Sequence, residues 1–224
     1  MNFDGVDDYI DLGTDPIGTG DFTWFGWMRP TSTKSAPAIF SNTEGDGAAI
    51  GICARITTNG SISVYSNSVH AFSSANAIDT TGVWQHVIIA VHDSTVNMYV
   101  NGVQVSADST IGTRKVGNTN LLLGNSQKLY LAFLGQMSGV GLLQYDITPY
   151  GQAAIDSLYD GTLADLTIGG TRAMVTYQGL APGAAGLYQF NVVVPATAAS
   201  DAVPVTFSQG GAAGTQTLYT AVQN

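Results

Sequence analysis

The chain has 224 residues, of which 45% are hydrophobic and 10% charged, and its formal net charge is −9. Such a length can bury a sizeable core, as one large β domain or as two smaller ones. Because its seven Lys and Arg residues are scattered over an acidic chain, they cannot form the basic stripe that follows phosphates, so we expect no nucleic-acid partner and no binding to an anionic membrane.

Cysteine content and the N-terminal residues indicate how the protein is stabilised and how it reaches its location. Cys53 is the single cysteine, so no intrachain disulfide can form and stability must come from packing. Asp4, Asp7, Asp8 and Asp11 stand where a signal peptide needs an apolar stretch, and no segment approaches the about 20 apolar residues that span a bilayer. We therefore expect a protein whose leader has been removed, or one that reaches the outside without secretion, as virion proteins do at lysis.

The first 146 residues predict a succession of half-buried strands. Large apolar residues alternate with small or polar ones over residues 21–28, 61–65 and 96–100. Asn59–Gly60 and Asn101–Gly102 each predict a two-residue hairpin, because both central positions tolerate positive φ.

A helix is predicted only over residues 151–161. Ile155, Leu158 and Tyr159 share one face there, and Gly161 is a candidate C-cap. We expect the first domain to end at residue 161.

The remaining residues, 162–224, predict a second, smaller β domain. Strand patterns occur over residues 186–195, 201–207 and 215–222. A module of about 60 residues is marginal on its own and leaves sheet edges open. We therefore expect it to dock on the first domain or on neighbouring subunits, with edge pairing or a trimeric interface as the form of self-association.

Three segments carry a family resemblance: the opening run at residues 2–13, Trp84-Gln-His-Val, and the run Asn-Met-Tyr-Val-Asn-Gly at residues 97–102. They resemble the laminin G-like, concanavalin A-like jelly rolls, antiparallel two-sheet sandwiches that bind mainly glycans and proteins. The resemblance implies an all-β jelly roll over residues 1–161. Residues 162–224, with Gly-Leu-Ala-Pro-Gly and Gly-Leu-Tyr-Gln-Phe-Asn, resemble instead the immunoglobulin-like module that closes many bacterial surface proteins, which implies a small β-sandwich.

Catalytic groups are scarce. Glycosidases on concanavalin A-like sandwiches need two acidic groups, one to protonate the leaving group and one to attack or activate water. The single glutamate, Glu44, lies in a predicted loop with only Asp46 close by. His86 matches the family's core strand, and His70 and His92 have no partners at metal-ligand spacing. We expect no enzymatic activity and no catalytic residue.

Calcium is the one cofactor that the sequence suggests. Asp4, Asp7 and Asp8 offer hard oxygen ligands, and related sandwiches often bind this ion. Many of these relatives add an acidic group from the last strand, but here Ser138 and Gly139 hold those positions. The alternative is that these aspartates cap turns by bonding their own backbone.

Aromatic residues divide into two groups. Alternation within strands favours core packing for three of them over stacking on sugars: Trp24, Trp27 and Trp84. Others fall near turns and are candidates for ligand binding: Tyr130, Phe133, Tyr145, Tyr150 and the predicted loop at residues 67–74. Exposed aromatic residues can equally mark a protein interface.

Two functions remain. The first is a structural and adhesive protein of a virion surface, a head decoration or fibre-associated protein bound to the capsid lattice, with glycans as candidate ligands. The second is a glycan-binding module of a secreted bacterial protein. The first predicts a trimer or a lattice-bound state and the second a monomer, and the sequence slightly favours the first.

Overall fold

The computed structural model describes residues 1–33, 36–43, 50–117, 119–162, 164–180, 188–209, 212–216 and 218–223. The chain divides into two compact units, Met1–Ile155 and Asp156–Asn224. Sequence analysis placed the boundary after residue 161, at the end of the predicted helix, whereas the units divide within that helix. Each unit is described separately below.

Antiparallel strands build the first unit. In its described part they are β1 Asn2–Asp4, β2 Ile10–Thr14, β3 Phe22–Pro30, β4 Ala38–Ser41, β5 Cys53–Ile56, β6 Ile62–Ser66, β7 Val69–Ser73, β8 Gln85–His92, β9 Thr95–Val100, β10 Val103–Gln104, β11 Ser106–Asp108, β12 Asn120–Leu123 and β13 Leu134–Leu143. One sheet has the order β1-β13-β3-β8-β9-β10 and the other β11-β7-β6-β5-β4-β12-β2. The predicted jelly-roll sandwich is therefore confirmed.

The core lies between the two sheets and follows the alternation of each strand. In β3, Phe22, Trp24 and Met28 are at most 1% exposed and belong to the core cluster. Trp27 is half-buried, because three positions along a strand bring a side chain to the opposite face. Core packing is thus confirmed for Trp24 but was wrong for Trp27, and Trp84 is also only half-buried.

The two predicted hairpins differ in their turns. Asn101 and Gly102 have φ of 50° and 79°, and the pairing resumes at once with Val103 opposite Val100, as predicted. The turn at residues 59–60 is longer than the predicted two residues, since Gly60 donates its N–H to the Thr57 carbonyl oxygen and only the glycine of this pair has a positive φ.

Residues 67–74, predicted as a loop, form a tight turn followed by β7. Asn67 and Ser68 both have positive φ, and Ser66 pairs with Val69 across the turn. Serine at such a position carries no sequence signal comparable to glycine. The turn makes β7 the neighbour of β6 and places its side chains on the sheet.

A helical segment follows β13. A 3₁₀ turn, Thr148–Tyr150, precedes helix α1, Gln152–Thr162, so the predicted helix is confirmed. Ile155 is buried, and Leu158 and Tyr159 are half-buried, as their shared face predicted. Gly161 lies inside the helix and does not cap it. Within the described ranges, no helix is long and apolar enough to cross a bilayer.

Residues 144–155 lie over part of the outer face of the six-stranded sheet. The Thr23 hydroxyl donates to the Tyr145 carbonyl oxygen (2.9 Å) and accepts the Ile147 N–H (3.1 Å), and the Gln152 side chain donates to the Gly102 carbonyl oxygen. His86, also on this face, is 0% exposed. Burial lowers the pKa of His86 to about 4, so the imidazole is neutral at pH 7, in keeping with its predicted core position.

The second unit is also antiparallel. Its described strands are β14 Ala164–Ile168, β15 Thr171–Arg172, β16 Met174–Leu180, β17 Tyr188–Val193, β18 Ser200–Gln209, β19 Ala212–Ala213 and β20 Leu218–Val222. One sheet has the order β15-β14-β18-β19 with β20 also on β18, and β16 pairs with β17. Ile168, Ala173 and Val203 form a small core. The immunoglobulin-like assignment stays a prediction, and part of the run that suggested it, residues 181–187, lies outside the described residues.

Candidate functional site

Phe133, one of the three predicted ligand-binding aromatic residues, is a core residue. Its side chain is 0% exposed, and its ring meets that of Phe3 edge to face with centroids 5.7 Å apart. The Phe133 N–H donates to the Gly124 carbonyl oxygen (2.8 Å), which draws the end of this loop back into the sandwich. The prediction of ligand binding by Phe133 was therefore wrong, because proximity to a turn does not by itself expose a side chain.

Tyr130 and Tyr145 are exposed but do not share a site. They are 44% and 46% exposed, and they lie on either side of β13. That strand has ten residues and so spans on the order of 30 Å. The structure brings Tyr145 instead to Tyr150, whereas Tyr130 adjoins Leu131, which packs with Tyr65 on the other sheet.

The predicted calcium ligands do come together. Oxygens of Asp4, Asp7 and Asp8 lie within 4.8 Å of one another, and all three side chains are exposed. Oxygen atoms so spaced can share one Ca²⁺, which takes its ligands at about 2.3–2.6 Å. The acidic set therefore fits a calcium ion, although Asp11 does not join it.

Backbone contacts of the same aspartates also match the turn-capping alternative. One Asp4 oxygen accepts the Val6 N–H (2.8 Å), and one Asp8 oxygen accepts the Asp4 N–H (2.9 Å). Asp11 bonds the Asn120 side chain and the Gly13 N–H, which lower the pKa of its carboxyl group. Each of Asp4 and Asp8 thus uses one oxygen in a turn, so capping and calcium binding are compatible.

A shallow polar groove of about 470 Å³ adjoins this acidic cluster. Its lining consists of Asn2, Phe3, Asp4, Arg29, Thr31, Leu134, Gly135 and Gln136. The Arg29 guanidinium donates to the Gly82 carbonyl oxygen (2.6 Å) and to the Gln136 side chain (3.3 Å). Asp4 belongs to both the cluster and the groove, so an ion bound by the aspartates would lie at the end of the groove.

The outer face of the seven-stranded sheet carries a row of rings that we call the aromatic platform: Tyr65, His70 and Phe72. The strand register places His70 opposite Tyr65 and Phe72 opposite Ser63. The Tyr65 and His70 ring centroids are 4.7 Å apart, and those of His70 and Phe72 are 5.7 Å apart with planes at 11°. Ala71, between the two β7 rings, points into the core.

The platform is open at one end and supported at the other. Phe72 is 38% exposed and His70 is half-buried, whereas Tyr65 is 0% exposed. The Arg55 guanidinium lies 5.3 Å from the centre of the Tyr65 ring, a cation–π contact. A sugar could therefore reach the platform at Phe72 and His70.

Polar groups flank the open end of the platform. The Ser63 hydroxyl oxygen lies 3.1 Å from Nδ1 of His70, a hydrogen bond that fixes the imidazole. Asp108 of β11 stands opposite Phe72 and is exposed. The arrangement offers an apolar stacking surface with hydrogen-bonding groups at its rim, as carbohydrate recognition requires. Sequence analysis singled out residues 67–74 but did not recognise the alternation of His70, Ala71 and Phe72 as a strand.

A second histidine joins a charged cluster at the start of β3. Nδ1 of His92 lies 2.6 Å from a carboxylate oxygen of Asp21, and this hydrogen bond and charge raise the pKa of His92. The Arg114 side chain is 3% exposed and donates to the Thr19 and Asp93 carbonyl oxygens. These contacts tie neighbouring turns together and give the cluster a structural role. Glu44 and Asp46, considered above as a pair of catalytic acids, lie outside the described residues.

Comparison with known families agrees with the architecture. A family model described as the concanavalin A-like lectin/glucanases superfamily, Laminin_G_3, matches residues 4–149. The chain belongs to this superfamily. A search of curated proteins with this chain finds no match.

The solved structures that share the fold include the following three. The CBM40 of the Ruminococcus gnavus IT-sialidase is 15% identical, with a TM-score of 0.55 over 72% of this chain and 95% of that one. Domain 4 of AbnA, a GH43 extracellular arabinanase from Geobacillus stearothermophilus solved in complex with arabinotriose, is 17% identical, with a TM-score of 0.53 over 67% and 72%. A heptameric SAP-like pentraxin from Limulus polyphemus is 15% identical, with a TM-score of 0.54 over 72% and 80%.

Proposed function

We propose that the chain is a non-enzymatic glycan-binding protein that acts outside the cell, and that its first unit holds a sugar on the aromatic platform. The stacked and partly exposed pair of Phe72 and His70 carries this proposal. Such rings offer the apolar C–H face of a sugar a flat partner, and the adjacent polar groups bond its hydroxyls.

The rest of the platform prepares this surface before the sugar arrives. The hydrogen bond between Ser63 and His70 holds the imidazole in place, while Tyr65 and Arg55 form a packed layer beside it. A site fixed in advance loses little side-chain freedom on binding, which favours affinity for small ligands.

Structural neighbours support the ligand class. One is a carbohydrate-binding module of a sialidase, and another was solved with a bound arabinotriose. Both neighbours bind carbohydrate, which supports a sugar as the ligand of this chain. The sugar itself is left to experiment, because at 15% and 17% identity the likeness extends to the fold and not to individual contacts.

Calcium is proposed as an accessory ion at Asp4, Asp7 and Asp8. The three carboxylates lie close together and would repel one another without a cation. Exposed sites of this kind bind calcium weakly, at about 10⁻⁴–10⁻³ M, which suits extracellular conditions. Bound calcium would hold the turn that joins β1 to β2 beside the polar groove.

A structural and adhesive function is the second candidate, and the surface of the second unit favours it. Phe207, Leu218 and Tyr219 are 43%, 63% and 67% exposed, and large exposed apolar groups often mark protein interfaces. Self-association, including the trimer expected above, would cover them. Light scattering on the full chain tests this, and a monomer at high concentration would count against it. The virion surface and the capsid lattice stay predictions.

A glycan array of the full chain, run once with calcium and once with EDTA, tests the proposed function. Hits that persist in EDTA are expected from the platform, because stacking needs no ion. Hits that vanish in EDTA would assign recognition to the acidic cluster and its groove instead. An array without hits at high protein concentration would overturn glycan binding and leave the structural function.

A further inference from the structure

Two exposed tyrosines form a corner on the first unit, far from the aromatic platform. Tyr145 and Tyr150 are 46% and 69% exposed. Their ring centroids lie 5.9 Å apart, and the ring planes meet at 72°. The two rings, which we call the tyrosine corner, enclose an open angle of aromatic surface.

The backbone beneath the tyrosine corner is fixed by hydrogen bonds. The Thr23 hydroxyl donates to the Tyr145 carbonyl oxygen (2.9 Å), and the Tyr150 N–H donates to the Ile147 carbonyl oxygen (3.0 Å). Between them, Asp146 accepts the Thr148 N–H (2.9 Å) and hydroxyl (2.7 Å). Ile147 is 5% exposed and anchors the segment. Both rings are thus held on a rigid turn while much of their surface faces water.

The polar surroundings of the corner favour an uncharged ligand. Each oxygen of the Asp146 carboxylate already accepts a hydrogen bond from Thr148, and Asp146 itself is 9% exposed. The exposed groups that the corner itself offers to a ligand are the two ring faces and the phenol hydroxyls. Such a surface fits the apolar face and the hydroxyls of a sugar ring better than it fits a charged peptide.

The tyrosine corner and the platform lie on opposite sides of the sandwich. Thr23 lies between the core residues Phe22 and Trp24, so its side chain is on the outer face of the six-stranded sheet, where it bonds Tyr145. Phe72 lies on the outer face of the seven-stranded sheet, across the sandwich. Two sites so arranged can hold two separate glycan chains at once.

The geometry points to a second glycan-binding site at Tyr145 and Tyr150, which makes the first unit bivalent. The inference rests on the proposed function for the class of ligand, but the two sites use different residues. Because both sites lie on one unit, a monomer can cross-link two glycan-bearing surfaces, and it gains avidity without forming oligomers.

Four forms of the full chain on one printed glycan array test the inference: the wild type, Phe72→Ala, the double variant Tyr145→Ala/Tyr150→Ala, and the triple variant. We expect Phe72→Ala to keep a subset of spots that the double variant loses by at least tenfold, and the triple variant to bind nothing. Tyr145→Phe/Tyr150→Phe, which keeps both rings, should retain part of the binding that the alanine variant loses. Thermal unfolding checks that each variant is folded.

The possible outcomes distinguish the second site at the tyrosine corner from glycan binding on the aromatic platform. A double variant whose spot pattern equals that of the wild type overturns the second site, while loss of spots in Phe72→Ala alone would leave the proposed function standing. If the double variant loses every spot and Phe72→Ala loses none, the platform fails and the corner is the glycan site. A wild type without spots overturns both. Beads that carry both a glycan retained by Phe72→Ala and a glycan retained by the double variant should clump with monomeric wild type but with neither Phe72→Ala nor the double variant, and clumping by the double variant would contradict bivalence.

Discussion

The imidazole of His70 lies parallel to the ring of Phe72, with planes at 11° and centroids 5.7 Å apart. The two residues are two positions apart on β7, and a strand directs such residues to the same face. Since that face points away from the core, the pair stays open to solvent. This open pair makes β7 the best candidate for ligand binding in the first unit, although the turn that precedes it contains no glycine.

Calcium should stabilise the first unit through the acidic cluster. For a site of about 1 mM affinity, 10 mM calcium adds about 1.4 kcal/mol to the free energy of unfolding, which raises the Tm by a few degrees. Differential scanning fluorimetry with calcium and with EDTA measures this shift. Asp7→Asn should abolish the shift and Asp11→Asn should keep it, because Asp11 lies outside the cluster. Equal shifts in both variants would contradict calcium binding at these aspartates.

Stability should fall as the pH rises above 6.5 through His92. The hydrogen bond and the charge of Asp21 raise the pKa of His92 above its ordinary 6.5. The folded state therefore holds this proton more tightly than the unfolded state, so the stabilisation is complete below pH 6.5 and is lost as the pH rises through the folded pKa. His92→Gln should lack this loss in a series of Tm measurements from pH 6 to 9. Parallel Tm curves for the two proteins would rule the contribution out.

His86 should act in the opposite sense at acidic pH. Its burial lowers the pKa to about 4, so the unfolded state binds the proton first as the pH falls below 6.5. Stability is then lost progressively down to about pH 4, by at most about 3 kcal/mol for this group. His86→Leu should remove this component, seen as a flatter dependence of the Tm on pH between 6.5 and 4. An unchanged slope would mean that the ring is not held neutral.

Phe133 should contribute to stability and not to binding. Removing a fully buried phenylalanine typically costs about 3–5 kcal/mol of unfolding free energy, and Phe133 packs on Phe3 in the core. Urea denaturation of Phe133→Ala measures the cost, with Tyr130→Ala as the exposed aromatic control. A loss below about 1 kcal/mol would show that the side chain is not packed as described.

Much of the sandwich could be predicted from the sequence, because hydrophobic alternation directly reports which side of a strand is buried. The strand around Trp24 followed this alternation, and the turn at Asn101 and Gly102 followed from the tolerance of these residues for positive φ. The failures have different causes, one local and one distant in sequence. Trp27 faces outward although it sits in an apolar run, and Phe133 is buried because its loop folds back onto Phe3.

The candidate site was only partly visible in the sequence. The acidic cluster could be predicted because its three aspartates lie within five residues, so a single turn brings them together. The aromatic platform was missed as a unit because Tyr65 and His70 meet through strand pairing, which depends on a turn at Asn67 and Ser68 that has no glycine. The sequence did indicate residues 67–74, but the pairing of rings required the register.

The central claim is tested most directly in a calorimeter, by titrating the full chain with the best array glycan that the Tyr145→Ala/Tyr150→Ala variant still binds and comparing the wild type with Phe72→Ala and with Val69→Ala. Val69 is a suitable control, since it lies on the same strand, is 45% exposed, and alternates with the platform residues. The account predicts that Phe72→Ala weakens binding at least tenfold, about 1.4 kcal/mol, with a nearly unchanged Tm, while Val69→Ala binds like the wild type. Equal affinities for the wild type and Phe72→Ala would contradict glycan binding on the aromatic platform.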